Sequence, residues 1–267
     1  MTPHAFNIYS NNNQRSLAIR AVLIDKLQYR ALQVNQDPRP DADLNICIGG
    51  DGSFLRAVHS SGFSQVPFVG INTGHLGFYQ EILVSEIDSF IDQFIHGEYI
   101  NTELGLLSGR IAHGDSSQEL FALNEFVVRT QNSTIAHMEV YVDDYHLENF
   151  AGDGLIVSTP SGSTAYNFSV GGSVLYQTMK GFQMVPIAPI NSRAYRSLLN
   201  PLVMPNTTKL RLVPTPREGD NILVIADGIN LDFKEIEYIE FTFGKKHINR
   251  IVFNPMWYWI NIKDKFL

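Results

Sequence analysis

Three short clusters in this sequence carry groups that could do chemistry, and each interrupts an apolar run. The first is Gly49-Gly50-Asp51-Gly52, directly after Leu44-Asn45-Ile46-Cys47-Ile48. Glycines let the backbone turn tightly and approach a ligand closely. A helix starting here would offer unpaired N–H groups and a positive dipole end, which suit phosphate. The plain alternative is a strand-to-helix turn with Asp51 as N-cap. The spacing is not G-x-G-x-x-G, because Leu55 takes the third glycine's place, and the chain has no G-x-x-x-x-G-K-[ST] loop. A nucleotide site here would belong to another class. The second cluster is Asn124-Glu125 inside Phe121-Ala122-Leu123 and Phe126-Val127-Val128. A buried carboxylate is costly unless paired, so Glu125 faces either a ligand or a structural partner. The third runs from Gly152-Asp153-Gly154 through Ser158-Thr159-Pro160-Ser161-Gly162-Ser163-Thr164-Ala165-Tyr166, with Gly171-Gly172 following. Its hydroxyls and amides fit ribose and phosphate recognition without cationic side chains. Read plainly, it is a polar, solvated loop.

Other chemistries are excluded or weaker. The eight histidines show no H-E-x-x-H or facial-triad spacing, so no protein-bound metal is expected. No G-x-S-x-G elbow is present. His75, in Thr73-Gly74-His75-Leu76-Gly77-Phe78, and the pair Arg193 and Arg196 read as ordinary loop residues first. Cys47 is the one cysteine, which rules out an intramolecular disulfide, and its apolar surroundings predict a buried thiol. With 20 Lys+Arg against 27 Asp+Glu, the formal charge is −7. That balance opposes a general nucleic-acid binder or a polybasic membrane-surface protein. Met1 to Ser10 lacks the features of a secretory signal, and no apolar run approaches the ~18 residues of a membrane span. The expectation is a reduced, soluble, cytoplasmic protein with neither nucleic-acid nor membrane partners.

The elements that must position these clusters fall into two regimes. Over residues 1–99 strands alternate with helices: Phe6 to Tyr9, Ala31 to Val34, Leu44 to Ile48 and Val66 to Ile71 read as strands. Leu17, Ala18, Ala21, Val22 and Leu27 predict one helical face, and Ile87, Phe90, Ile91, Phe94 and Ile95 another. Ser85-Glu86-Ile87-Asp88 reads as a capping box ahead of the second. The alternation predicts a Rossmann-like α/β domain with a parallel sheet. Residues 100–253 predict a β-rich domain, a layered antiparallel sandwich. Hairpins are expected around Asp143-Asp144, Asp227-Gly228 and Gly244-Lys245-Lys246. The tail, about 254–267, reads as a short helix returning to the first domain.

In this order the three clusters resemble the motifs of the NAD kinase family, in its compact bacterial form. Gly74-His75-Leu76-Gly77-Phe78 and Asn191 to Arg196 extend the match, from about residue 44 to the C-terminus. The resemblance implies transfer of a phosphoryl group from ATP, or from polyphosphate, to the 2′-hydroxyl of the adenosine ribose of NAD, giving NADP. It implies Asp51 as general base, with Gly49, Gly50, Gly52 and Ser53 holding the donor phosphates. It assigns NAD binding to Asp51, Gly52, Phe78, Asn124, Glu125, Ala151, Asp153, Ser161, Thr164, Ala165, Tyr166, Asn167, Ser169 and Ala188. A divalent ion, Mg²⁺ foremost, would be carried by donor phosphates and water, and the assembly would be a homodimer or homotetramer. Ala151 departs from the family pattern, which often has a basic residue there. Two further readings share parts of these motifs. A diacylglycerol- or sphingosine-type lipid kinase would share Gly-Gly-Asp-Gly, and a noncatalytic dinucleotide sensor would not need Asp51.

Overall fold

The computed structural model describes residues 4–74, 77–132, 134–191, 196–216 and 221–267. The chain divides into two compact units: residues 1–103 with 248–267, and residues 104–247.

The first unit is the α/β part. Its strands are β1 (Ala5–Ser10), β2 (Gln33–Val34), β3 (Leu44–Gly49) and β4 (Phe68–Asn72), in the parallel order β2-β1-β3-β4. Helices α1 (Gln14–Tyr29), α2 (Asp51–Ser60) and α3 (Ile87–His96) connect or follow them. Every residue of β3 and β4 is buried, as expected for parallel strands covered on both faces. Cys47 lies among them, fully buried, and burial pushes its thiol far above the ordinary range.

Two helix details differ from the sequence expectation. The buried stripe of α1 is Ser16, Ile19, Leu23 and Leu27, whereas Leu17 and Val22 are exposed. Both stripes have helical spacing, and the one carrying the larger branched side chains goes inside. At α3 the carboxylate that closes the turn is Glu86, which accepts from the Leu83 N–H at 3.0 Å. Asp88 instead pairs with Lys26 and Arg30 of α1. Ile87, Phe90, Ile91 and Phe94 are buried as expected, while Ile95 is exposed.

The chain leaves the first unit along β5 (Ile100–His113). The second unit contains β6 (Ser116–Ala122), β7 (Glu125–Thr130), β8 (Ala136–Val142), β9 (Tyr145–Gly152) and β10 (Gly154–Ser158). The short helix α4 (Tyr166–Ser169) and β11 (Gly181–Ile187) follow, then β12 (Leu202–Pro205), β13 (Leu210–Pro214), β14 (Ile222–Ala226) and β15 (Ile229–Leu231). One antiparallel sheet runs β12-β11-β10-β7-β14-β15. Against it stand β13, β8 and β9, also antiparallel. Phe126, Val128, Leu155, Val157 and Phe182 from the first layer share one core with Met138, Val140, Phe150, Leu210 and Leu212 from the second. This is the layered sandwich that the alternating strands predicted. At two hairpins both turn residues have positive φ: Asp143 and Asp144 at 47° and 67°, Asp227 and Gly228 at 47° and 81°. That is the type I′ geometry, whose twist matches paired strands.

The expected hairpin at Gly244-Lys245-Lys246 does not form. Residues 236–252 are one strand, β16 (Ile236–Val252), with Gly244 at φ 80° absorbing a local distortion. Each half has its own partner: Ile239 to Phe241 pair with β13, and Arg250 pairs with Phe68 of β4. A turn signal yields when both arms are claimed elsewhere. The chain ends in α5 (Trp257–Phe266), within the first unit. Among the described residues no helix is long and apolar enough to cross a membrane.

Candidate functional site

In the first unit β3 delivers its chain into α2 through Gly49 and Gly50. Gly50 is the N-cap, and Asp51 is the first residue of the helix rather than its cap. Its carboxylate turns instead toward residues 77–79. Oδ2 accepts from the Phe78 N–H and Oδ1 from the Tyr79 N–H, each at 3.0 Å. Gly77 makes this possible, since a Cβ there would collide with Asp51 Oδ1. The turn is tied further by Gln80 Nε2 donating to the Gly50 carbonyl at 2.8 Å. Helix α5 covers the same turn. Trp257 Nε1 donates to the Gly77 carbonyl at 3.2 Å, and the Phe78 ring lies against Tyr258 and Phe266. Phe78 is therefore buried. His75 and Leu76 lie outside the described residues.

Along α2 and the end of β1, lined by Ser53, Arg56, Ala57 and Ser60 of α2 but not by Asp51, lies a cleft of about 590 Å³. Arg20, Arg56, Ser10, Asn11, Ser53 and Ser60 contribute to its wall, which among the described residues contains no Asp or Glu. Arg56 is oriented by Asn11 Oδ1 and by Ser53 Oγ, the latter at 3.3 Å. Neither arginine was singled out in the sequence; Arg20 lies on α1 and Arg56 on α2.

In the second unit Asn124 and Glu125 sit at the entry to β7, held by a residue that sequence reading treated only as a turn former. The Asp227 carboxylate accepts from the N–H groups of Leu123 at 2.8 Å, Asn124 at 2.7 Å and Glu125 at 3.2 Å. Glu125 is buried, and its Oε2 has no hydrogen-bond partner. Burial first, and the Asp227 charge second, push its carboxyl up to about 8. A ligand hydroxyl or amide would satisfy an oxygen that the fold leaves bare.

The loop after β10 braces this entry from the other side. Thr159 donates from its N–H to the Asn124 carbonyl at 2.9 Å and from Oγ1 to the Leu123 carbonyl at 2.6 Å. Gly162 lies directly against Asn124, where a Cβ would strike its carbonyl. Thus part of the hydroxyl-rich loop faces inward. Ser158, Thr159 and Ser163 are buried and spend their hydroxyls on backbone carbonyls. Ser161 is buried too, and Asn167 donates to the Ser163 carbonyl at 3.1 Å. The groups left outward are Thr164 and Ala165, half-buried, with Tyr166 and Ser169 exposed. Asp153 is exposed, its N–H donated to the Ile187 carbonyl. Ala188 is exposed at φ 43°, and Ala151 is buried with its N–H on Ser197 Oγ at 3.3 Å. Of the segment Asn191 to Arg196, residues 192–195, Arg193 among them, lie outside the described residues.

Among the described residues no three His, Cys, Asp or Glu side chains come together as a metal cage.

A fixed carboxylate at a helix N-terminus, a cleft with two arginines on the same helix's flank, and a bare buried carboxylate in a separate β unit are groups that a nucleotide-dependent phosphotransferase would use. Comparison with known proteins narrows the class. Residues 8–99 match the ATP-NAD kinase N-terminal domain and residues 123–253 the ATP-NAD kinase C-terminal domain. The NAD kinase of Finegoldia magna is 53% identical over 265 residues, covering 98% of this chain and 97% of that one. The NAD kinase of Staphylococcus saprophyticus is 33% identical over 266 residues, with the same coverage. Two solved structures share the fold. Yeast NADH kinase complexed with NADH has a TM-score of 0.85 at 20% identity, covering 98% of this chain and 87% of that chain. An NAD kinase from Archaeoglobus fulgidus in complex with ATP has a TM-score of 0.78 at 21% identity, covering 97% of both. The chain belongs to the ATP-NAD kinase family, enzymes that phosphorylate NAD to NADP with ATP.

Proposed function

We propose that the reaction proceeds at Asp51, with the 2′-hydroxyl of the adenosine ribose of NAD as acceptor. The hydroxyl proton passes to the Asp51 carboxylate as the ribose oxygen bonds to the terminal phosphorus of ATP. The bond from that phosphorus to the bridging oxygen breaks, and ADP leaves with the electron pair. Phosphoryl transfer asks the protein for positioning and charge compensation more than for covalent help. The observation that carries this reading is the Asp51 side chain, fixed by two backbone amides yet 30% exposed. A base must be both aimed and reachable.

In this reading Asn124 and Glu125 grip the NAD, the bare Glu125 oxygen accepting from a ribose hydroxyl. Asp153, Thr164, Ala165, Tyr166, Ser169 and Ala188 line its adenosine and nicotinamide ends. Ser161, Asn167 and Ala151 support that surface from beneath, and Gly52 and Phe78 border Asp51. Gly49, Gly50, Gly52 and Ser53 face the donor phosphates, and the Arg20–Arg56 cleft takes the rest of the donor, ATP or polyphosphate. Mg²⁺ accompanies those phosphates. The working protein is a cytoplasmic homodimer or homotetramer.

The test is direct. Purified protein with ATP, Mg²⁺ and NAD should make NADP, measured by an NADP-specific dehydrogenase. Asp51→Asn should still bind NAD while kcat falls by roughly 10²–10⁴-fold, the usual contribution of a general base. Turnover near the wild-type rate in that variant would refute the assignment.

A further inference from the structure

We propose that Lys265, in the last turn of α5, is a positioning residue for Asp51 and makes the C-terminal helix part of the reaction machinery. This rests on Asp51 being the base. Lys265 Nζ lies 3.7 Å from Asp51 Oδ2 and 4.8 Å from the centroid of the Phe78 ring. The two ends of the pair lie far apart in sequence, so the fold, and no local spacing, brings them together. Both side chains are about 30% exposed, so the pair is reachable from solvent.

The geometry separates two tasks at one carboxylate. The Phe78 and Tyr79 amides take one hydrogen bond on each oxygen and fix its plane. The ammonium stands beyond hydrogen-bond length and supplies charge without filling a lone pair. The remaining lone pairs stay open to an acceptor hydroxyl. A bare carboxylate would repel the donor phosphates that must come within bonding distance of the acceptor it holds. Lys265 offsets that repulsion, and the fully buried Arg250 adds a fixed positive charge that also acts on Asp51.

The helix is anchored for this purpose at its other end. Trp257, Tyr258 and Asn261 are buried, and Trp257 Nε1 holds the Gly77 carbonyl. Just ahead, the Phe253 and Asn254 N–H groups donate to Glu81, which pairs with Arg250 at 3.7 Å. A helix C-terminus favours a cation on its own account. That general preference explains a lysine in the last turn, but not its placement over Phe78 and beside Asp51.

The experiment uses the full chain with Lys265→Met, Lys265→Arg, Asp51→Asn and the double variant Asp51→Asn/Lys265→Met. Lys265→Met keeps the stem and removes the charge. It should lower kcat roughly tenfold, which is about 1.4 kcal/mol of lost transition-state stabilisation. The KM for NAD should stay within about twofold, and Tm within about 2 °C, because partly exposed ion pairs add little stability. Lys265→Arg should restore most of kcat. The double variant should be no slower than Asp51→Asn alone, because Lys265 acts through Asp51. Wild-type or faster turnover in Lys265→Met, a loss that follows Tm, or no rescue by Arg would overturn the inference. If Asp51→Asn keeps its activity, the base assignment itself fails. If it loses activity while Lys265→Met does not, only the role of Lys265 fails.

Discussion

Glu125 gives this chain a pH dependence of known sign. Its carboxyl is held protonated up to about 8 by burial and by Asp227, whereas an unfolded glutamate ionises near 4.5. Between those values the folded chain keeps a proton that the unfolded chain releases. The associated stability is fully present below the unfolded value and is lost as pH rises toward 8. Each unit of difference is worth about 1.4 kcal/mol. The wild-type Tm should therefore fall between pH 5.5 and 8.5, and Glu125→Gln, with no proton to lose, should flatten that slope. Equal slopes in thermal scans of the two proteins would remove Glu125 as the cause. The sequence made Glu125 visible because a carboxylate among apolar residues must be explained. It did not make Asp227 or Lys265 visible as partners, because each reaches its site from a distant part of the chain. A turn aspartate and a terminal lysine look ordinary until the fold carries them there.

At the scale of elements, the sites depend on where backbone passes close to backbone. Gly77 is the clearest case. Asp51 is held by amides of the next two residues, and any Cβ at Gly77 would push its carboxylate away. Gly77→Ala should lower kcat at least tenfold while NAD still binds, because the turn is buried under α5 and the Asp51 carboxylate is what the new Cβ meets. Such a loss follows from displacing a catalytic group by about 1 Å. Unchanged kcat in steady-state assays would mean that the carboxylate need not hold this position. Elements with strong local signals were legible: β3, α3, and the hairpins at Asp143-Asp144 and Asp227-Gly228. The α1 face was misassigned because two helical stripes competed and only packing chose between them. Unbroken β16 was missed because Gly244-Lys245-Lys246 carries a local turn signal that pairing with β13 and β4 overrides.

For the whole molecule, the formal charge of −7 opposes the approach of two anionic substrates. Residues 151–179 contain no Lys or Arg, so cationic help must come from elsewhere in the chain. In the proposed reading the cleft with Arg20 and Arg56, lined by no Asp or Glu among the described residues, meets that need on the donor side. No sequence window announced it, because the two arginines come from different helices. Replacing both with Gln should raise the KM for ATP about tenfold, the worth of one lost charged hydrogen bond. The KM for NAD should change little. Salt separates the local contribution from the global one. At about 0.15 M the screening length is ~8 Å, so long-range repulsion fades while contacts inside the cleft persist. In wild-type protein kcat/KM for ATP should therefore rise or hold steady as salt goes from low to physiological levels. In the double Gln variant it should rise more steeply, since only repulsion is left to screen. A fall with salt that is equally steep in both proteins would assign donor capture to charges outside this cleft.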